Sequence, residues 1–447
     1  MKKLQFSVFV VVFILLLFSI SACGGENSSS EKEEEPADST ASDENGGEGS
    51  DEAKGEAAYD LGGRVIRIAQ HWDMTPEGGT EIGDMTVERW KEVEEKYNIT
   101  IEWIVVPWEE KVNQLTSTIL AGEPFADIVG LDTTQAAALI QQDYLYALDD
   151  LVDLSTVKLP QAIQNIGTLN GKVYLFGHQV NQSGGMYYNK TMFEQAGLPD
   201  PYELQQAGEW TWDAMLDAAK TLTDGTTFGL SGDANLLAEY SLATNGGQIL
   251  DMDTGEMTID TPNAIEGYEF MSALYNEHRV VKPNEGNNWE DPRRYFTEGL
   301  VGMTQGWVWE AEGRVETPFE WGYVFWPKGP QAADYVTPIS SVEGLAIPKG
   351  VEDPEIVYQI WEDMQVWEVA GDDVIEWFET VLPNVESVDT ATRMLEKISS
   401  NYWSAFQIEE ILWDMNENIA TGAESPAQAV ASVKGEAQAR VDEFMGK

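Results

Sequence analysis

From residue 64 onward, short apolar runs of strand length alternate with stretches of helical period, and this alternation limits the fold more than any other feature of the chain. Arg64-Val-Ile-Arg-Ile-Ala69 has the pattern of a strand, and Val87, Trp90, Val93 and Tyr97 recur at helical spacing before Asn98 ends the run. A strand is expected over Ile99 to Val106, Pro107 stops it, a helix is expected from about Trp108 to Ala121, and Ala126-Asp-Ile-Val-Gly130 reads as a short buried strand. Strands alternating with helices imply a mainly parallel sheet covered on both faces. The chain thus begins as an α/β domain. At 447 residues it exceeds what one hydrophobic core holds, because single cores stop growing at roughly 250 to 300 residues.

Beyond Gly177 the pattern becomes more aromatic and helical. Trp212 to Leu222 is a helix, and Thr261-Pro262 supplies the N-cap and first position of another that runs through Tyr275. Asp353-Pro354 opens a third, whose Val357, Ile360, Trp361, Met364 and Trp367 share one face and are expected in the core. Asp251-Met-Asp-Thr-Gly255 resembles the start of a calcium loop but lacks the Gly at its sixth position and has Pro262 where the twelfth needs Glu, so a hairpin turn is expected there.

Charge and cysteine usage exclude several functions. There are 78 acidic against 26 basic residues, a net charge of −52, and such a chain does not supply the clustered Lys and Arg that a phosphate backbone requires. Nucleic acid is not an expected partner. One Cys rules out an internal disulfide framework, and His71, His178 and His278 lie far apart with no Cys beside them, so no metal and no cofactor are expected.

The N-terminus reads as a secretory signal. Met1, Lys2 and Lys3 give a positive start, Val8 to Phe18 form 11 unbroken apolar residues, and small residues precede the single Cys. That run is too short for a spanning helix, which needs about 20 residues. Ile20-Ser-Ala-Cys23 resembles the lipobox of bacterial lipoproteins, with Ile in place of the usual Leu. On that resemblance residues 1–22 are a signal peptide and Cys23 is lipidated, placing the protein on the extracellular face of the cytoplasmic membrane. Residues 24–58 hold 12 acidic residues, Lys32, Lys54 and no aromatic residue, a composition that cannot offset chain entropy by burial and serves as an acidic tether. From Tyr59 on, 66 acidic residues still outnumber 22 basic ones, a net of −44. An extracellular medium high in pH or salt and a merely acidic surface both accommodate that number.

Several stretches are similar, in order, to the extracellular solute-binding proteins of family 1, the maltose and oligosaccharide type of ABC-importer component. They are Leu120-Ala-Gly-Glu-Pro-Phe-Ala-Asp-Ile-Val129 with Tyr144-Leu-Tyr-Ala-Leu-Asp149, Gly171-Lys-Val-Tyr-Leu-Phe-Gly177, Tyr187-Tyr-Asn-Lys190, Phe193-Glu-Gln-Ala-Gly-Leu-Pro199 and Trp210-Thr-Trp-Asp213. Phe296-Thr-Glu-Gly-Leu-Val-Gly-Met303 leading to Gly306-Trp307, and Val342-Glu-Gly-Leu-Ala-Ile-Pro348, continue the series. Phe125-Ala126 departs from the pattern by standing between the Pro and the Asp. The resemblance implies an α/β, two-lobe periplasmic-binding-protein-like fold with three hinge crossings. Lobe 1 would comprise residues 60–178 plus 345–390, and lobe 2 residues 179–344 plus 391–447. It also implies a carbohydrate ligand in the interlobe cleft, ABC permease subunits as partners, a monomer and no enzymatic activity.

A sugar site combines aromatic faces with donors and acceptors for hydroxyls. Trp72 and Asp73 follow the first strand, where ligand contact competes with a capping or packing role. Asp132 and Gln135 follow the strand ending near Gly130, and Asp132 is equally suited to cap the next helix. Asn181 lies at the first expected crossing, within a segment that also reads as a Gly turn. Trp307 and Trp309 share a side if extended, and the resembling family places a ligand-stacking Trp after Gly306; core packing is the alternative. Tyr240, Glu343 and Trp403 complete the candidates, whereas Trp326 before Pro327 suits a structural place. Two rival functions stay open: a secreted glycoside hydrolase, for which no signature singles out a carboxylate pair, and a receptor for a peptide or other polar solute.

Overall fold

The computed structural model describes residues 59–177, 184–252 and 254–447. Cys23, Asn181 and the signal and tether segments lie outside the described residues.

β1 (Arg64–Gln70) pairs in parallel with β2 (Ile99–Val105) on one side and β3 (Ile128–Asp132) on the other. The strand Glu343–Ala346 closes this sheet antiparallel to β3, with Glu343 opposite Asp132. The crossovers are helical for reasons visible in the sequence. In α1 (Glu81–Tyr97) the Thr80 side chain caps the Gly83 amide, and Asn98 ends the helix in the left-handed region at φ 50°. α2 (Trp108–Leu120) starts directly after Pro107. α3 (Thr133–Gln141) starts with a reciprocal capping box between Asp132 and Gln135.

The second sheet is mixed. Its order is Trp321–Val324, Gly184–Asn189, Val301–Trp307, Phe228–Ser231, with Gly184–Asn189 antiparallel to both its neighbours and the last strand parallel to Val301–Trp307. Gly184–Asn189 is buried at every position, so it reads as a continuous rather than alternating strand. The helix Trp212–Leu222 spans the expected residues. The helix opened by Pro262 ends at Ser272 and passes into a π-type turn over Ala273–Glu277. Asp251 and Gly255 do form a hairpin turn, joining the short strands Leu250–Asp251 and Glu256–Met257.

Two lobes follow from the two sheets. The described chain leaves the first lobe by Gly177 and is in the second from Gly184, it passes back between the strands Thr337–Ile339 and Glu343–Ala346, and it crosses again between the helices Pro354–Met364 and Asp372–Val381. Val357, Ile360, Trp361 and Met364 are buried against the first sheet, while Trp367 lies past the helix end, half-buried on the edge of Trp361. The sequence expectation carried lobe 1 to residue 390. In the packing, Asp372–Val381 rests on the turn Val308–Arg314 and on the helix Val385–Leu395, which itself packs on the second-sheet strand Trp321–Val324. Residues 372–390 therefore side with the second sheet. Nothing in the local pattern marks this, because an amphipathic helix specifies that one face is covered and not by which sheet. Among the described residues no helix is long and apolar enough to cross a membrane.

Candidate functional site

Both sheets present their carboxyl-terminal edges with aromatic and polar groups, the position where α/β sheets bind ligands. On the first sheet the loop after β1 and the start of α2 carry Trp72 and Trp108, which are 41% and 37% exposed although large indoles are normally buried. His71 sits edge-on between them, with ring centroids 3.9 Å from Trp72 and 5.0 Å from Trp108. Its Nδ1 lies 3.0 Å from Gln70 Oε1 and 3.2 Å from Glu343 Oε1.

Beneath this edge is a buried cation. The Lys111 ammonium has no solvent exposure; it donates to Gln70 Oε1 at 3.2 Å, lies 3.6 Å from Glu343 Oε1, and stands 4.6 Å from the centre of the Trp108 ring. Burial pushes its pKa below the usual lysine range, against the pull of Glu343 and Asp132. The Asp132 carboxyl is raised mainly by burial. Asp132 and Gln135 spend their side chains on capping α3, and Asp73 is turned back onto Thr75, whose amide and hydroxyl both donate to it and lower its pKa. Glu343 and Trp72 are thus joined through His71, whereas Asp73 belongs to its own loop.

On the second sheet the strand Val301–Trp307 delivers Trp307 to its end, and the chain turns at once so that Trp309 returns alongside. Their rings are nearly parallel, 10° apart in plane and 6.1 Å between centroids. Trp289 completes a platform, 5.6 Å from Trp307 and 6.4 Å from Trp309. Trp289 and Trp309 are 50% and 43% exposed. The turn is held by Glu310, whose Oε1 accepts from the Trp307 amide at 3.2 Å, and by the Tyr187 hydroxyl, which donates to the Trp307 carbonyl at 2.6 Å. Glu310 also takes Arg293 at 3.1 Å and the buried Arg314 at 2.8 Å. Opposite Trp307, Gly184 has no alternative residue, since a Cβ there would stand 1.5 Å from the Tyr240 hydroxyl oxygen. Tyr240 is buried and underlies the platform rather than lining it. Trp326 is buried as well, edge-on to Tyr240.

The helix Asp372–Val381 meets the segment before α1 and the turn after Trp307: Thr80 reaches Glu376 Oε2 at 3.4 Å, and Trp377 Nε1 donates to Glu312 Oε1 at 3.2 Å. It stands between the loop that follows β1 and the turn that follows Trp307. Trp403 is elsewhere. It is buried near the second crossing, where with Pro338, Ile339 and Glu239 it encloses a space of about 20 Å³, room for about one water.

Burial beside that space pushes the Glu239 carboxyl up to about 7 from its usual 4.5, partly opposed by a hydrogen bond with Ser340. Because the folded state holds this proton more tightly, the associated stability is full below about pH 4.5 and is lost as pH rises through about 7. Glu239→Gln is therefore expected to raise the unfolding midpoint over the parent protein near pH 8.5 and not near pH 4.5. An equal difference at both pH values would remove Glu239 from this role.

Trp108, Lys111, Trp289, Arg293 and Glu310 were not singled out by the sequence. The signal for Trp108 and Lys111 was available in Pro107-Trp108-Glu-Glu-Lys111, which sets an aromatic and a cation one helical turn apart after a strand end. Trp289 has no such signal. It stands in an Asn-rich loop and meets the platform only through the fold.

The Bacterial extracellular solute-binding protein family model matches residues 81–362. A Brucella abortus protein, named only as a binding protein, is 29% identical over 218 residues, 47% of this chain and 50% of its own length. The arabinooligosaccharide-binding protein of Halalkalibacterium halodurans is 23% identical over 208 residues, 45% of each chain. The chain spans about half the length of the curated relatives it matches. Among solved structures, an ABC substrate-binding protein of Listeria monocytogenes in complex with cycloalternan superposes with TM-score 0.64 at 19% identity, covering 86% of this chain and 99% of that one. This likeness establishes the fold.

Proposed function

Because this chain belongs to the bacterial extracellular solute-binding protein family, we propose that it is the membrane-anchored receptor of an ABC importer and that it binds a sugar or oligosaccharide between its two lobes. The observation that carries the reading is the pair of exposed indole groups, Trp72 with Trp108 and Trp289 with Trp309 around Trp307, each at the carboxyl edge of one sheet. Sugar rings lay apolar faces on such indoles, while His71 and Glu343 supply polar partners for hydroxyls. The ligand bridges the lobes and shifts an open-to-closed equilibrium by its differential affinity for the two states; closure then presents the surface that the permease reads. Cys23 carries the lipid, and residues 24–58 tether the lobes to the membrane. The arabinooligosaccharide and cycloalternan ligands of the relatives agree with this class of ligand.

A thermal-shift screen of the protein against mono- and oligosaccharides, with amino acids and peptides as controls, tests the reading. The expected result is a melting temperature that rises with saccharide concentration, with the saccharide recovered unaltered. If only peptides or other solutes shift the melt, the carbohydrate assignment falls. Consumption of the saccharide, abolished by a single carboxylate substitution, would make the protein a hydrolase.

A further inference from the structure

We propose that the saccharide taken up at the Trp289–Trp307–Trp309 platform carries carboxylates, so that the ligand is an oligosaccharide containing uronic acid; the proposal rests on the carbohydrate reading above. A neutral sugar needs aromatic faces and groups for its hydroxyls, and it needs no cation within the aromatic platform. This platform has one. The Arg293 guanidinium carbon stands 3.8 Å from the centre of the Trp289 ring and 5.3 Å from that of Trp309, and the side chain keeps 18% of its surface exposed.

The hydrogen bonds of Arg293 leave it unsaturated. Of the five N–H groups on a guanidinium, one on Nη1 donates to the Trp289 carbonyl at 2.7 Å and one on Nη2 donates to Glu310 at 3.1 Å, which leaves three. One of the three, on Nε, is buried with no partner among the described residues and out of a ligand's reach, so the hydrogens left on Nη1 and Nη2 are the two a ligand meets. The local charge is unbalanced in the same sense. Glu310 is shared with Arg314, a side chain only 2% exposed, so two guanidinium groups face one buried carboxylate. Glu290 comes no nearer to Nη1 than 4.0 Å and lies on an exposed side chain that is free to turn to solvent.

A uronate matches this geometry. Its ring face lies on an indole while its planar carboxylate takes the guanidinium fork in two parallel hydrogen bonds, the arrangement arginine forms best. The overall acidity of the globule does not oppose this, because charges beyond about 8 to 10 Å are screened at ordinary salt and the nearest groups decide the sign.

The test is a calorimetric comparison of matched ligands with the intact protein. Galacturonate, glucuronate and mannuronate trisaccharides are each measured against the carboxyl-reduced trisaccharide of the same linkage, with a sulfated form as a further arm. At least one uronate is expected to bind about tenfold or more tightly than its reduced partner, as a charge-assisted pair would give. The preference should shrink as salt is raised. Arg293→Gln should abolish it, and Arg293→Lys, which keeps the charge and loses the fork, should retain part of it. Should Arg293→Gln fail to fold, the matched pairs and the salt series on the parent protein decide alone. The proposal is overturned if reduced forms bind as tightly as the uronates in every pair that binds, or if the sulfated arm is preferred. If no saccharide of any kind binds, the carbohydrate reading itself falls.

Discussion

Glu310→Ala is expected to cost about 3–5 kcal/mol of stability, the range for removing one partner of a buried ion pair and leaving the other uncompensated. The figure is large because Glu310 serves several groups at once. Its side chain is 2% exposed, it takes the buried Arg314 on one oxygen, and on the other it takes Arg293 and the Trp307 amide. Without it the Arg314 charge stays buried, 3.9 Å from the centre of the Tyr187 ring, and an aromatic face replaces little of what a carboxylate gave. The turn that returns Trp309 beside Trp307 also loses its cap. Denaturant unfolding of the variant and the parent measures the loss, and a cost below about 1 kcal/mol would show that Arg314 finds another route to solvent or to a partner. Glu310→Gln, which keeps the hydrogen-bond acceptor and removes the charge, should fall between the two.

Trp307→Ala should weaken saccharide binding by about 1–3 kcal/mol, roughly 5- to 150-fold, while the unfolding midpoint moves little. Trp307 lies 5.6 Å from Trp289 and 6.1 Å from Trp309, and it ends a buried strand whose register against Gly184 is fixed. Its ring is half-buried at the end of the strand and packs on the other two indoles, so truncation removes platform surface more than a core element. Calorimetry with whichever saccharide shifts the melt gives the number. Unchanged affinity in a folded variant would take Trp307 out of the site and move attention to Trp72 and Trp108 on the first sheet.

The two sheet edges were unequally legible in the sequence. The loop after Ala69 and the strand ending near Gly130 mark carboxyl edges by their order alone, so Trp72, Asp132 and Gln135 could be named from position. Their roles could not. Asp132 and Gln135 close a capping box, a local pairing that the sequence allows and that leaves less of either side chain for a ligand. Tyr240 and Trp403 were attractive by residue type, and both are buried. Type states what a side chain is able to do, and burial depends on what the fold lays over it.

The sequence by itself determined the α/β alternation, the helix end at Asn98, the helix starts at Pro107 and Asp132, the hairpin at Asp251–Gly255 and the family motifs, because these rest on periods and caps that span a few residues. Only the tertiary structure decided that residues 372–390 pack with the second sheet, that Lys111 is buried beneath Glu343 and Trp108, and that Trp289 and Arg293 join Trp307 and Trp309. Those contacts link residues far apart in the chain, and their energy comes from burial and charge pairing, which no local window contains.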